Sequence, residues 1–178
     1  GHFEFLGEGD GVAPGTYNEL INFLGKGLTL RSSHGPGVTT IDGTGLSGSV
    51  ITCAYGEKAT TRFMGFGVTG GSGFTYYDYK LGGGMYINSA NPTISNCIFR
   101  RNSSDDGGAL YLFNSDLRIL DCEFIANVAR AGGGAIASFA SQPSLLNSMF
   151  WENSTSGSPG FGGAIYNNQS SPNIQSCI

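Results

Sequence analysis

Asp105 and Asp106 stand side by side just before Gly107-Gly108. Two acids at a glycine corner are a candidate Ca²⁺ site, because Ca²⁺ is held by hard oxygen ligands on a chain that bends sharply. Gly7-Glu8-Gly9-Asp10-Gly11 suggests the same ion in a single copy. Two neighbouring acids in a loop are ordinarily solvated, so the metal reading rests on little else. Hydrolysis of a sugar bond needs two carboxylates flanking one point. His2 and His34, the two histidines, sit in no motif. The strongest binding chemistry is aromatic: Phe74, Tyr76, Tyr77 and Tyr79 crowd one short segment, and Tyr86, Tyr111 and Tyr166 recur beyond it. Outward rings on a rigid face stack on sugar rings or on a partner protein; against that use, tyrosine simply suits strands, and the segment around 73–80 can fold over the side of the coils.

The elements that would position these residues are announced by repetition. GGGMY from Gly82, GGALY from Gly107, GGAIA from Gly133 and GGAIY from Gly162 follow one another at steps of 25, 26 and 29 residues. Between them run ISNCIFRRN from Ile94, ILDCEFIAN from Ile119, LLNSMFWEN from Leu145 and IQSCI from Ile174. A repeat of this length is the mark of a solenoid, in which each copy is one coil stacked on the next. The step of two from Cys97 to Phe99 keeps both on one face of a strand. The step of three from Ile94 to Cys97 requires a bend at Asn96, a residue type that tolerates the left-handed conformation, and Asp121, Asn147 and Ser176 repeat that bend.

Several columns follow. Cys97, Cys122 and Cys177 share one position, with Ser148 in the fourth copy, and read as stacked buried thiols, since two inward side chains pointing the same way suit a disulfide poorly. Asn102, Asn127 and Asn153 each fall three residues after a Phe and read as an amide ladder along the axis, at a spacing of about 4.8 Å. Asn102-Ser103-Ser104 and Asn153-Ser154-Thr155 are also sequons, so glycosylation is their alternative use. Tyr86, Tyr111 and Tyr166 form an outward column with a gap at Ala137, and neither Glu123 nor Arg118 has a carboxylate or a base beside it in its own column. Upstream, Phe63, Phe66 and Val68 align over Ile94, Cys97 and Phe99, and Gly71 over Asn102; the longer step there marks an insertion around Gly73 to Lys80.

The fold expected is all-β: a right-handed parallel β-helix of six to seven coils and roughly 30 Å. It forms a single domain over 1–178, with irregular coils over 1–81 and regular ones over 82–178, and reads as a piece of a longer protein. The GGA-aliphatic corner with Phe-x-x-Asn at Phe99–Asn102, Phe124–Asn127 and Phe150–Asn153 resembles the paired repeats of polymorphic outer membrane proteins. The stretch from Val12 to Gly71 resembles the opening coils of right-handed parallel β-helix repeat proteins. The resemblance implies an extracellular or cell-surface passenger, often adhesive. The chain departs from it in Ala137, in the GGGM of the first copy and in the absence of paired motifs before residue 82. There is no room for a membrane barrel, and Phe3-Glu4-Phe5-Leu6 is too short for an N-terminal capping helix.

Net charge is -4 with nine basic residues scattered along the chain, only Arg100 and Arg101 being adjacent, which excludes a basic patch for nucleic acid. No apolar run approaches the roughly 20 residues of a membrane span, so membrane insertion by this segment is not expected. The expected function is a structural or adhesive module that binds a polysaccharide or a surface protein through Tyr76, Tyr77, Tyr79, Tyr86, Tyr111 and Tyr166. β-Helices also host many polysaccharide lyases and hydrolases, so a pectate-lyase-like enzyme is the alternative. End-to-end self-association is a third reading, because both ends are expected to present unpaired strands.

Overall fold

The computed structural model of the protein describes residues 11–178. His2, the Phe3–Leu6 segment and most of Gly7–Gly11 therefore lie outside the described residues. The chain is a parallel β-helix. Three six-stranded sheets run along the axis, and each strand pairs with its equivalent one coil away. The first sheet holds Gly15–Tyr17, Thr39–Asp42, Gly67–Thr69, Ile98–Arg100, Glu123–Ile125 and Met149–Trp151. The second contains Met85–Asn88, Leu110–Phe113, Ile136–Phe139 and Ile165–Asn168 after two shorter strands. The third carries Thr93–Ser95, Arg118–Leu120, Ser144–Leu146 and their neighbours. Six strands per sheet give six coils among the described residues.

The registers match the columns read in the sequence: Ile94 pairs with Ile119 and Phe63, Phe99 with Phe124 and Val68, and Tyr86 with Tyr111. The inward residues form one core in which Phe99, Phe124, Ile94, Ile119 and Leu110 are fully buried. Phe99, Phe124 and Phe150 stack with centroids 5.3 and 4.9 Å apart and planes within 9°, an arrangement worth about 1 kcal/mol per pair beyond the burial itself. Cys97 and Cys122 are free buried thiols. The Sγ of each donates to the carbonyl two residues back at 3.2 Å, as the Ser148 hydroxyl does to Leu146 at 3.0 Å, which is why serine fits that slot.

Bends lie where the sequence placed them, with left-handed backbone at Asn96 (φ 50°), Asp121 (51°), Asn147 (51°) and Ser176 (52°). A second left-handed set, Arg101, Ala126 and Glu152, carries no turn residue; each precedes a ladder Asn and turns that side chain inward. Asn102 donates through Nδ2 to Asn127 Oδ1 (3.1 Å) and Asn127 to Asn153 Oδ1 (3.0 Å). The Gly71 N–H caps this row by donating to Asn102 Oδ1 at 3.0 Å. Asn102, 1% exposed and with its Nδ2 engaged, is bound within the coil rather than offered as a glycosylation acceptor, and the half-buried Asn153 spends its Nδ2 on Phe124 O.

A fourth, five-stranded sheet was not foreseen. It contains Ser103–Asp106, Val128–Gly132 and Ser154–Thr155, so Asp105 and Asp106 lie in a strand rather than in a loop. Its other members are Phe74–Tyr76 and Tyr79–Leu81, an antiparallel hairpin built from the insertion. From Gly82 on, this is also the side on which coil length varies; upstream the connection between the third and first sheets varies as well, since Leu30 to Ile41 takes 11 residues where Phe63 to Val68 takes 5. From Gly82 to Asn102, Gly107 to Asn127 and Gly133 to Asn153 the chain takes 20 residues each time, whereas Asn102 to Gly107, Asn127 to Gly133 and Asn153 to Gly162 take 5, 6 and 9.

Candidate functional site

The hairpin brings most of the aromatic residues together. Tyr76 pairs with Tyr79 across a two-residue turn in which Tyr77 has φ 52°. The first position of such a turn ordinarily belongs to glycine when φ is positive, so a tyrosine there is strained. The Tyr77 ring is 85% exposed and meets Tyr76 edge-on at 4.8 Å. At the other end of the hairpin, the Phe74 N–H donates to Ser49 Oγ at 2.9 Å, and the Phe74 ring stacks on Tyr86 at 4.3 Å.

The outward tyrosine column is therefore not a free surface. Tyr86, covered by Phe74, is only 5% exposed. Tyr86 stacks on Tyr111 at 5.8 Å, and Phe139 fills the gap left at Ala137, 5.3 Å from Tyr111 and 5.7 Å from Tyr166. Beyond it Phe161 stacks on Tyr166. Phe74, Tyr86 and Tyr111 stack along the axis and cover one another's faces, while Phe139 meets Tyr166 edge-on, so the column corrects the expectation of free stacking faces. Phe139 escaped the sequence reading although it lies two residues past Ala137 on the same outward side.

Between hairpin and column lies a groove of about 160 Å³ lined by Tyr76, Leu81, Tyr86, Asn88, Tyr111 and Phe113. Three of the six residues named from the sequence, Tyr76, Tyr86 and Tyr111, meet there. Tyr77 stands at the hairpin turn, Tyr79 lies beneath the Arg130 guanidinium at 5.2 Å, and Tyr166 is in the last coil, away from the groove. Asn88 and Phe113 were missed, although Asn88, Phe113, Phe139 and Asn168 form a column one side-chain period from the tyrosines. Over residues 16–178 the chain matches the family model described as "Right handed beta helix region". The chain belongs to that family. No curated protein and no solved structure matches it.

In this right-handed β-helix the groove is uncharged and its charges stand behind the hairpin. Burial, then Tyr86, Asp106 and Tyr76, push the Tyr111 hydroxyl up to about 12, so it is a neutral donor at physiological pH. Asp105 does not converge with other acids: its Oδ2 accepts the Lys80 N–H at 2.7 Å and its Oδ1 accepts Arg130 Nε. Among the described residues no group of three or more His, Cys, Asp or Glu gathers as a metal site would require. Burial acts first to raise Asp105, but the bonds from Arg130 and the Lys80 amide and the two positive charges outweigh it, and its pKa lies below the ordinary value.

For Asp106, burial dominates, helped by the charge of Asp105, and its pKa is raised despite the Gly132 amide and Arg130. A carboxyl raised in the folded state supports folding when protonated and loses that support as pH rises through its folded value. Asp106→Asn keeps an acceptor for Gly132 and removes the charge. Its melting temperature should exceed the parent's at pH 7, and the two should converge as pH falls below the ordinary aspartate range; equal melting temperatures at both pH values would count against this.

Proposed function

We propose that this β-helix is a structural and binding module of a secreted or cell-surface protein, and that the groove beneath its hairpin takes a carbohydrate. The observation that carries the reading is the exposed right-angled pair Tyr76 and Tyr77 beside an uncharged groove. A sugar ring offers apolar C–H faces to an aromatic ring and hydroxyls to polar edges. Here the faces belong to Tyr76 and Tyr77, and the polar edges to the Tyr86 and Tyr111 hydroxyls and the Asn88 amide, which donates to Tyr86 Oη at 3.0 Å. The scaffold supplies rigidity, since each strand is bonded to its equivalents along the axis. The likeness of the GGA and Phe-x-x-Asn repeats to polymorphic outer membrane proteins supports a surface passenger role.

Tyr77→Gly tests this with little risk to the fold, because glycine suits the positive φ of the turn. Retention on an array of neutral polysaccharides should fall about tenfold, with the melting temperature unchanged or higher. Undiminished retention would sink the reading. Release of reducing or unsaturated ends from a bound polysaccharide would instead favour the lyase or hydrolase alternative.

A further inference from the structure

The hairpin sits on the solenoid through few contacts. Residues 74–80 are all exposed, and only Tyr79–Leu81 joins the fourth sheet, through the single register pair of Leu81 with Asp106. An isolated two-stranded ribbon is marginal in water. On the side away from Phe74, one carboxylate gathers its anchors. Asp105 takes the backbone N–H of Lys80 from the hairpin and the guanidinium of Arg130 from the next coil, and that guanidinium covers the Tyr79 ring.

We propose that Asp105 is an ion-paired latch that fixes where the hairpin sits and so sets the width of the aromatic groove. Its consequence for binding rests on the carbohydrate reading, since Tyr76 on the hairpin is one wall and Tyr111 and Phe113 on the second sheet are the other. The latch itself is a property of the fold. The charged groups facing Asp105 are Lys80 from the hairpin and Arg130 from Val128–Gly132; Tyr79 is the titratable group beneath Arg130, and Asp106 is its neighbour in the strand. A carboxyl held low by such partners contributes above its unfolded value and gives up that contribution as pH falls through its folded value. The latch is therefore closed at neutral pH and opens on the acid side of the ordinary 3.8. The exposed guanidinium makes it sensitive to salt as well.

The test is native-state proteolysis of the full chain with chymotrypsin, which cuts after Tyr76, Tyr77 or Tyr79 when the hairpin lifts. Asp105→Asn and Arg130→Gln should each raise the initial rate in the hairpin about fivefold. The double variant should cut no faster than the quicker single one, and the parent in 1 M salt should approach the variants. The main thermal transition should move by less than about 3 °C. Unchanged cleavage in both variants overturns the latch, and so does cleavage that rises evenly along the chain, which would mark a general loss of stability. Sugar retention is measured alongside: if no variant and no parent retains sugar, the binding reading fails, and proteolysis still decides the latch.

Discussion

Asn127→Ala should cost about 4 kcal/mol of folding stability, because it orphans several buried polar groups at about 1–3 kcal/mol each. Asn127 has no exposed surface. Its Oδ1 accepts both the N–H and the Nδ2 of Asn102 at 3.1 Å, and its Nδ2 donates to Phe99 O at 2.9 Å and to Asn153 Oδ1 at 3.0 Å. Alanine leaves those groups facing a space that no neighbour fills, since the rungs above and below are held at strand spacing. Denaturant unfolding followed by circular dichroism measures the loss. A change below about 1 kcal/mol, the worth of one ordinary hydrogen bond, would mean that the asparagine row contributes little.

Gly108→Ala should cost about 3 kcal/mol through overpacking against atoms that cannot rotate away. A Cβ there would lie 2.2 Å from Gly134 O and 2.7 Å from Val128 O, both backbone. The conflict recurs along the column, since a Cβ at Gly83 would meet Gly108 O at 2.3 Å and one at Gly134 would meet Gly163 O at 2.1 Å. Shifting one coil to make room therefore presses on the next. Gly163→Ala supplies the control: its nearest contact would be Asn153 O at 3.6 Å, so it should be neutral or stabilising by up to about 1 kcal/mol. Equal losses in the two variants would refute the steric account.

Much of this architecture was legible because a solenoid strand pairs with its own equivalent, so register follows from counting residues. The Ile94, Cys97 and Phe99 columns, and the placement of Phe63, Phe66 and Val68 over them, could be read that way. Counting could not place the insertion, which belongs to no repeat; that it folds over the side of the coils was one reading, but the seat of Phe74 on Tyr86 could not be derived. Nor could it give the tilt of the rings, which decides whether a tyrosine shows its face or its edge. The row of Ser115, Ser141 and Ser170 also went unread: each hydroxyl accepts an N–H from the coil before, Ala90, Ser115 and Ser141 respectively. Serine is too common at bends to stand out, whereas Asn after Phe-x-x is not. The left-handed residues Arg101, Ala126 and Glu152 carried no signal because the inward turn of the following Asn, not their own chemistry, imposes that conformation.

The constant 20 residues from corner glycine to ladder asparagine, against 5, 6 and 9 for the return, divide each regular coil from Gly82 on into a fixed part and an adjustable part. In these regular coils the other three sides keep one length between their columns. The fourth has already accepted a hairpin in one coil and a longer connection before Gly162 in another. Evolution can therefore graft new recognition elements along a single flank while the rest of the repeat is copied unchanged, and an engineer inserting a guest loop should choose the same flank.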